Sequence, residues 1–334
     1  MMIFKLSHGE RLMLLTIILT ALLVSCAGSP TAPAPRASAS VLPALGPGDF
    51  TLVYLPDTQY YSESYPATWT AQVQWIAANR GPLNIQFVSH LGDVVDNATA
   101  TVEWQRASAA MAVLDSITPL GIAPGNHDLR GNWVATGGTW DKYRQWFPQI
   151  RYSAEPWWGG YYKANNLSRA SSYQKITVGT VKLLFLHLEF QAPDDVLNWA
   201  RTVVANNPNY RVHVSTHSYL DPTGTRVPQG GNLRPTGNQG EAIWQELVRG
   251  APNIRLVHSA HLCGEARRVS TNDAGLAVDE ILTDYQCGPN GGDGWLRYYV
   301  VRPALGIAEA YTYSPTRDEY DTDAESQFVL GWMP

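Results

Sequence analysis

The chain has 334 residues, of which 45% are hydrophobic and only 16% are charged. This composition is typical of a packed globular protein that can be exported. The net charge of −5 gives no electrostatic footprint for binding the nucleic-acid backbone, because such binding needs clustered positive charge. The composition therefore argues against a nucleic-acid partner, and it leaves the oligomeric state open.

The start of the chain has the pattern of an export signal. A polar stretch, Met1–Arg11, precedes the uncharged apolar run Leu12–Val24, which is short for a membrane span. The run ends in Leu23-Val24-Ser25-Cys26-Ala27, which resembles a bacterial lipobox, where the cysteine receives diacylglycerol. We therefore expect residues 1–25 to be a lipoprotein signal peptide and the protein to be exported and anchored to the membrane of the bacterial cell envelope through lipidated Cys26. A plain signal peptide with an incidental cysteine is the alternative.

Residues 26–48 are rich in Ala, Pro, Ser and Gly, and Arg36 is the only charged residue after the cysteine. Such a segment cannot bury enough apolar surface to offset the entropy lost on ordering, so we expect a tether. Residues 49–334 contain no second linker and no repeat period, and we expect them to form one α/β domain.

The first part of this domain alternates apolar β-rich runs with helical patterns. Each predicted strand is followed directly by a polar loop, which is the rhythm of a largely parallel sheet. In open α/β sheets, functional sites form at the carboxyl ends of the strands. The predicted elements are the strands Phe50–Leu55, Ile85–Leu91 and Thr118–Ala123, and the helices Thr68–Asn79 and Val102–Ser116.

The stretch Gly131–Tyr162 breaks this rhythm, because it is long, aromatic and rich in turns. We expect an elaborated loop or cap beside the site. After it, the alternation of strands and helices resumes. The predicted elements are a hairpin of Ser172–Val178 and Val181–Phe190, the helices Asp194–Asn206 and Glu241–Arg249, and the strands Arg211–Thr216, Ile254–His258, Ile281–Asp284, Trp295–Arg302 and Glu309–Tyr313.

The polar residues that follow these strands are carboxylate, amide and imidazole side chains, which suit hard or borderline divalent cations. Two such cations about 3.5–4 Å apart need a bridging carboxylate. Asp93 is the natural bridge, because its neighbour Gly92 lets the backbone approach closely. The full set is Asp57, Gln59, Asp93, Asn126, His127, His217 and His261.

Five segments in this order resemble the motifs of calcineurin-like metallophosphoesterases. They are Asp57-Thr58-Gln59, Gly92-Asp93-Val94-Val95-Asp96, Gly125-Asn126-His127-Asp128, His217, and Ser259-Ala260-His261-Leu262-Cys263. The resemblance implies two stacked mixed β-sheets flanked by helices, a four-layer α/β sandwich. It also implies up to two divalent metal ions of the Mn, Fe or Zn class at one end of the sheets.

The resemblance implies a role for each side chain. Asp93 would bridge the two ions. His127 would lie outside the metal shell, as a cation for the phosphoryl oxygen or an acid for the leaving group, and Asp96 would orient it. The remaining ligands would divide between the ions, with Asp57 and Gln59 on the first, and Asn126, His217 and His261 on the second.

Two positions depart from the family pattern, and both normally carry a histidine ligand of the first metal. Gln59 can still offer an amide oxygen there. Cys263 could offer a thiolate, which favours a softer metal. The alternative is a disulfide between Cys263 and Cys287, because these two cysteines are an even pair in an oxidising compartment.

Downstream segments resemble a secreted branch of the same superfamily, whose first motif is also Asp-Thr-Gln. These segments are Ala266-Arg267-Arg268, Asp284-Tyr285-Gln286, Gly291-Gly292-Asp293-Gly294-Trp295 and Thr312-Tyr313-Ser314-Pro315. That branch implies no single substrate.

The function implied is a metal-dependent phosphoester hydrolase, a phosphatase or phosphodiesterase, that acts outside the cytoplasmic membrane by attack of a metal-bound hydroxide on phosphorus. The alternative is a surface lipoprotein that keeps the fold as a binding module with one metal or none. Gln59, Cys263 and the aromatic stretch favour the alternative. The presence of His127 argues against it, because this residue binds no metal in the family and has no use in a site that does not catalyse.

Overall fold

The computed structural model describes residues 42–131, 138–162, 170–230, 234 and 236–332. The predicted signal peptide, Cys26 and residues 26–41 of the predicted tether lie outside this part of the chain. In the described remainder of the tether, Leu42 and Leu45 pack against the core. No helix of the described residues has both the length and the apolar character needed to span a membrane.

The described residues form two β-sheets of seven strands each. In chain order the strands are β1 (Phe50–Leu55), β2 (Ile85–His90), β3 (Leu120–Ile122), β4 (Trp158–Tyr161), β5 (Ser172–Val178), β6 (Val181–Leu188), β7 (Arg211–Thr216), β8 (Ile254–Ser259), β9 (Gly264–Thr271), β10 (Ala277–Asp284), β11 (Leu296–Arg302), β12 (Ile307–Ser314), β13 (Glu319–Asp321) and β14 (Phe328–Gly331).

The helices lie between these strands in the chain. They are α1 (Gln59–Glu63), α2 (Pro66–Asn79), α3 (Thr101–Ala112), α4 (Asp141–Trp146), α5 (Asp194–Ala205) and α6 (Gly240–Ile243), and α6 continues into a π-helical turn, Trp244–Val248. Short 3-10 turns cover Gln149–Arg151, Pro289–Gly291 and Pro303–Leu305.

Both sheets are mixed. The first has the order β13-β12-β11-β1-β2-β3, with β14 also paired to β12. Its strands β1, β2 and β3 run parallel, and β11 is antiparallel to β1. The second has the order β4-β5-β6-β7-β8-β10-β9, in which β6, β7, β8 and β10 run parallel. The expected pair of mixed sheets flanked by helices is therefore confirmed.

The sheets are held together by a core of apolar and aromatic side chains from both. Phe87 of β2 stacks on Phe185 of β6 with 3.7 Å between the ring centroids. Every residue of β1 is buried, which explains its continuous apolar sequence, because a strand covered on both faces has no polar side. Separate apolar clusters lie between the first sheet and α2 and α3, and between the second sheet and α5 and α6.

Several parts of the fold differ from the sequence-based prediction, among them helix α1 and strands β13 and β14, which were not predicted. The stretch Gly131–Tyr162 contains α4 and the edge strand β4 in its described residues, so it is more than a loop. Strand β9 was not predicted. It is an edge strand whose Arg267 and Arg268 face solvent, and its pattern therefore lacks the apolar run that marks the central strands.

Candidate metal centre

The predicted site residues lie just after parallel strands of both sheets. Because the carboxyl ends of parallel strands share one edge of a sheet, the fold gathers these side chains. Asp57 and Gln59 follow β1, Asp93 follows β2, and Asn126 and His127 follow β3 in the first sheet; His217 follows β7 and His261 follows β8 in the second.

His217 joins the two sheets at this edge. Its Nδ1 donates a hydrogen bond to the carbonyl oxygen of Leu91, at 2.9 Å. The proton of the neutral imidazole is therefore on Nδ1, and Nε2 carries a lone pair. Nε2 lies 2.9 Å from Oδ2 of Asp93 and 4.0 Å from Oδ2 of Asp57. Two lone-pair atoms at 2.9 Å repel each other unless a proton or a metal ion lies between them.

Asp93, His217 and His261 each offer one ligand atom, and these atoms all lie within 4.8 Å of one another. The rings of His217 and His261 are 4.9 Å apart between centroids. One divalent cation can therefore contact all three side chains, and the combination of carboxylate and imidazole suits a transition metal.

Glycines make this close approach possible. Gly92 has φ 108°, and a Cβ there would lie 2.6 Å from both the carbonyl oxygen of Ala123 and Nδ1 of His217. A Cβ on Gly125 would overlap Oδ1 of Asp93. Both glycines are therefore needed to bring the loops after β2 and β3 against the site.

Two of the site residues hold a left-handed backbone, which side chains other than glycine rarely adopt. Asp93 has φ 50° and His261 has φ 73°. Such conformations cost about 1–3 kcal/mol each and persist where the surrounding structure requires them, often at functional sites.

The predicted ligands carry buried polar atoms that have no hydrogen-bond partner among the described residues. A buried polar atom left without a partner costs about 1–3 kcal/mol. Several such atoms on neighbouring loops are best explained by cations, for which their lone pairs are ligands. The atoms are Oδ2 of Asp57, Oε1 of Gln59 and Oδ1 of Asn126, together with Oδ2 of Asp93 and Nε2 of His217, which face each other and have no hydrogen-bond partner while the imidazole is neutral. The residues present therefore fit divalent metal ions.

The charges at this edge also favour cations. Burial, together with the charges of Asp93 and Asp284, raises the pKa of Asp57 well above its usual range. Burial alone would raise the pKa of Asp93 as well, but the charge of His217 and its hydrogen bond outweigh this and lower it. The buried carboxylates at this edge thus have very little positive charge among the neighbouring side chains to balance them.

His127 lies at the margin of the site, and its side chain is 33% exposed. Its backbone N–H donates to Oδ1 of Asp93, at 2.8 Å. Its Nδ1 lies 2.6 Å from the carbonyl oxygen of Asp96 but 3.5 Å from the Asp96 carboxylate. Asp96 therefore does contact the imidazole as expected, but its backbone oxygen accepts the hydrogen bond, and the carboxylate is too far away to do so.

Cys263 is bonded to Cys287, and the Cα atoms of the two cysteines are 5.9 Å apart. The prediction that Cys263 is a thiolate ligand is therefore corrected, and the disulfide alternative is confirmed. A sulfur in a disulfide has no negative charge to offer a metal. Of the two positions that depart from the family pattern, Gln59 therefore keeps an atom that can bind a metal ion, and Cys263 does not.

Three residues contribute to the site but were not named as site residues from the sequence. Asp128 accepts hydrogen bonds from the backbone N–H groups of Val95 and Gly125, and so ties together the loops after β2 and β3. Asp284 is the last residue of β10, which runs parallel to β8, and Gln286 follows this strand. A carboxylate at the end of a predicted strand was the available signal for Asp284. Burial raises the pKa of this carboxyl to about 6.

Comparison with known proteins places this geometry in a family. Residues 50–264 match the model of the calcineurin-like phosphoesterase family. The protein YvnB of Bacillus subtilis (strain 168) is 32% identical over 284 residues, which cover 82% of this chain and 21% of YvnB. The chain therefore spans about a fifth of the length of that relative.

A solved structure with a similar fold is the purple acid phosphatase PPD1 from yellow lupin (Lupinus luteus) seeds. It is 13% identical, with a TM-score of 0.55, and the match covers 86% of this chain and 55% of PPD1. At this level of identity, the likeness supports the fold. The matched family model and the ligand set agree, and the chain belongs to the calcineurin-like phosphoesterase family.

Proposed function

We propose that the protein is a phosphatase or phosphodiesterase that acts outside the cytoplasmic membrane with two divalent cations of unequal affinity. The observation that carries this proposal is the set of buried, unpartnered oxygen and nitrogen atoms at the edge where the two sheets meet. Cations there, when bound, would activate water and neutralise charge on the phosphoryl oxygens.

The ligands divide into two groups in this proposal, with Asp93 shared between them. Asn126, His217 and His261 hold the stronger ion, since two imidazoles are good donors for transition metals. Asp57 and Gln59 hold the weaker ion. A neutral amide oxygen is a poorer donor than the imidazole it replaces, so the site that depends on Gln59 should lose its ion first.

The role of His127 is to transfer a proton or stabilise charge. Its Nδ1 is held by the carbonyl of Asp96, so the ring orientation is set before substrate binds. It is more exposed than Asp57, Asp93 and His217, which suits contact with a substrate that arrives from solvent. Nε2 is then the atom that would donate to the phosphoryl or leaving oxygen.

The test is turnover of an aryl phosphate monoester and an aryl phosphate diester by chain stripped with a chelator and reloaded with Mn²⁺ or Zn²⁺. His127→Ala should lower the rate by about 10²–10⁴, the usual contribution of a positioned acid, with unchanged metal content by elemental analysis. Asp93→Asn is the contrasting variant and should lose metal together with activity.

Loss of metal in His127→Ala would reassign this residue as a ligand. Loaded wild-type chain that holds its ions but hydrolyses neither ester would favour the binding-module alternative.

The place of action is proposed from the sequence. Leu23-Val24-Ser25-Cys26-Ala27 resembles a lipobox, and the disulfide between Cys263 and Cys287 supports an oxidising compartment. Cys26→Ser should block processing or release the protein from membranes. A mature Cys26→Ser protein of unchanged size in the membrane fraction would contradict lipid anchoring.

A further inference from the structure

The amide of Gln59 can help a cation only if its oxygen, and not its NH2 group, faces the site. Gln59 is buried at the first residue of α1, and its backbone N–H donates to Oδ1 of Asp57, at 2.9 Å. Its Nε2 donates to Oε1 of Gln286, and its own Oε1 is buried without a hydrogen-bond partner among the described residues. A neighbouring group must therefore prevent the amide from flipping, which would exchange the positions of its oxygen and its NH2 group.

Gln286 supplies that constraint. Its Nε2 donates to Oδ2 of Asp284, at 3.1 Å, and to the carbonyl oxygen of His261, at 3.3 Å. A carboxylate and a backbone carbonyl are acceptors only. If the Gln286 amide turned over, its oxygen would face two acceptors. The Oε1 of Gln286 must therefore point at Gln59, and Gln59 must donate a hydrogen bond to it from its NH2 group.

We propose that Asp284 and Gln286 are positioning residues that set the polarity of the Gln59 amide, so that its oxygen faces the weaker metal ion. This inference rests on the proposed function, because it presumes that Gln59 is a ligand. Gln59 donates a hydrogen bond to Gln286, and Gln286 donates one to Asp284. We refer to this chain of hydrogen bonds as the amide relay.

A backbone hydrogen bond and a disulfide hold the amide relay in place beside the rest of the site. The backbone N–H of Gln286 also donates to Oδ1 of Asp284, at 2.9 Å, so this loop is held at two points. The next residue, Cys287, is bonded to Cys263, which lies two residues after His261. The relay and the disulfide thus hold the loops after β8 and β10 together at the position where the family pattern has a histidine and this chain has Cys263.

The test measures metal affinity by calorimetric titration of Mn²⁺ into chelator-stripped full-length chain. Gln59→Leu identifies the binding step that depends on this amide. Gln286→Leu should weaken that step about tenfold or more, the usual effect of removing a partner that orients a ligand. The other step should change less than threefold. Asp284→Asn keeps the side-chain volume and should act in the same direction with a smaller loss.

A second background separates orientation from packing. In a Gln59→Glu chain, either carboxylate oxygen can face the ion, so orientation no longer matters. Gln286→Leu in that background should no longer weaken that step, because the two ends of the side chain at position 59 are then both oxygens. Gln72→Leu is the matched control, because buried Gln72 donates to the carbonyl oxygen of Trp295 away from the site and should leave both steps unchanged.

Three outcomes would overturn the relay while the proposed function stands: no change in Gln286→Leu, equal weakening of both steps, or the same loss in the Gln59→Glu background. A wild-type chain that binds no Mn²⁺ at all would overturn the proposed function itself, and the relay with it.

Discussion

The imidazole of His217 faces the carboxylate of Asp93 across 2.9 Å, and both atoms are buried. In the ion-free protein, a shared proton relieves this contact. Burial disfavours the imidazolium, but the charge of Asp93 and its hydrogen bond outweigh burial and raise the pKa of His217 above 6.5. Below that pKa, a metal ion must therefore displace a proton from this position.

The first prediction follows from that competition. A raised pKa means that the ion-free site keeps its proton up to a higher pH, so metal affinity should fall as the pH is lowered through the pKa of His217. The fall should be about tenfold per pH unit for one displaced proton. Calorimetry with Mn²⁺ between about pH 5.5 and 8.5, in buffers of different ionisation enthalpy, would count the protons released.

His127→Ala is the control for this experiment, because it removes a histidine that contacts the same site without serving as a proposed ligand. It should leave the proton release unchanged. Binding that releases no proton at pH values below the His217 pKa would contradict the prediction.

At the scale of elements, a disulfide joins the connection between β8 and β9 to the connection between β10 and β11. These two connections are close in the sequence. The two cysteines are separated by 24 residues. A cross-link over a loop of this length stabilises a protein by about 3 kcal/mol, chiefly by restricting the unfolded chain.

We therefore predict that reductant lowers the free energy of unfolding by about 3 kcal/mol in urea titrations. The control is the double variant Cys263→Ser with Cys287→Ser, which should start at the lower stability and respond no further to reductant. Equal responses of the wild-type chain and the double variant would contradict this prediction.

The prediction of elements from the sequence was accurate where the signal is local. Strands β1, β2 and β7 are almost wholly buried runs that lead into a polar loop, and such runs are visible without any partner strand. Helix α5 has its apolar residues three and four apart, so its buried face could also be predicted. Edge strand β9 carries no such signal, because much of its surface faces solvent.

At the scale of the whole molecule, the interface between the sheets holds the two halves of the site together. Asp57, Asp93 and Asn126 come from one sheet, and His217 and His261 from the other. The stacked pair Phe87 and Phe185 lies in that interface. Loosening the interface should therefore lower stability, and it should also separate the ligands.

We predict that Phe185→Ala destabilises the protein by about 3–5 kcal/mol, since it leaves a cavity in a closely packed core. The measurement is chemical unfolding of the ion-free chain. Phe328→Ala is the matched control, because Phe328 is only partly buried at the edge of the same core, and it should have a clearly smaller effect. Equal losses in the two variants would show that the sheets do not depend on this stack.

The amino-acid sequence by itself determined the kind of chemistry and the set of strand ends that carry it. Asp57, Asp93 and His217 could be named because each comes just after a predicted strand, and their ligand types are properties of the side chains alone. The tertiary structure decided what depends on distant partners. It decided that Cys263 is bonded to Cys287 and that Asp96 meets His127 through its carbonyl oxygen.

The structure also decided which way the Gln59 amide faces, through contacts with Gln286 more than two hundred residues away. The physical reason is the same in each case. A covalent bond, an accepting lone pair or an amide orientation is chosen by the atoms that lie opposite, and strand pairing brings those atoms together from distant parts of the chain. No local pattern of residues contains that information.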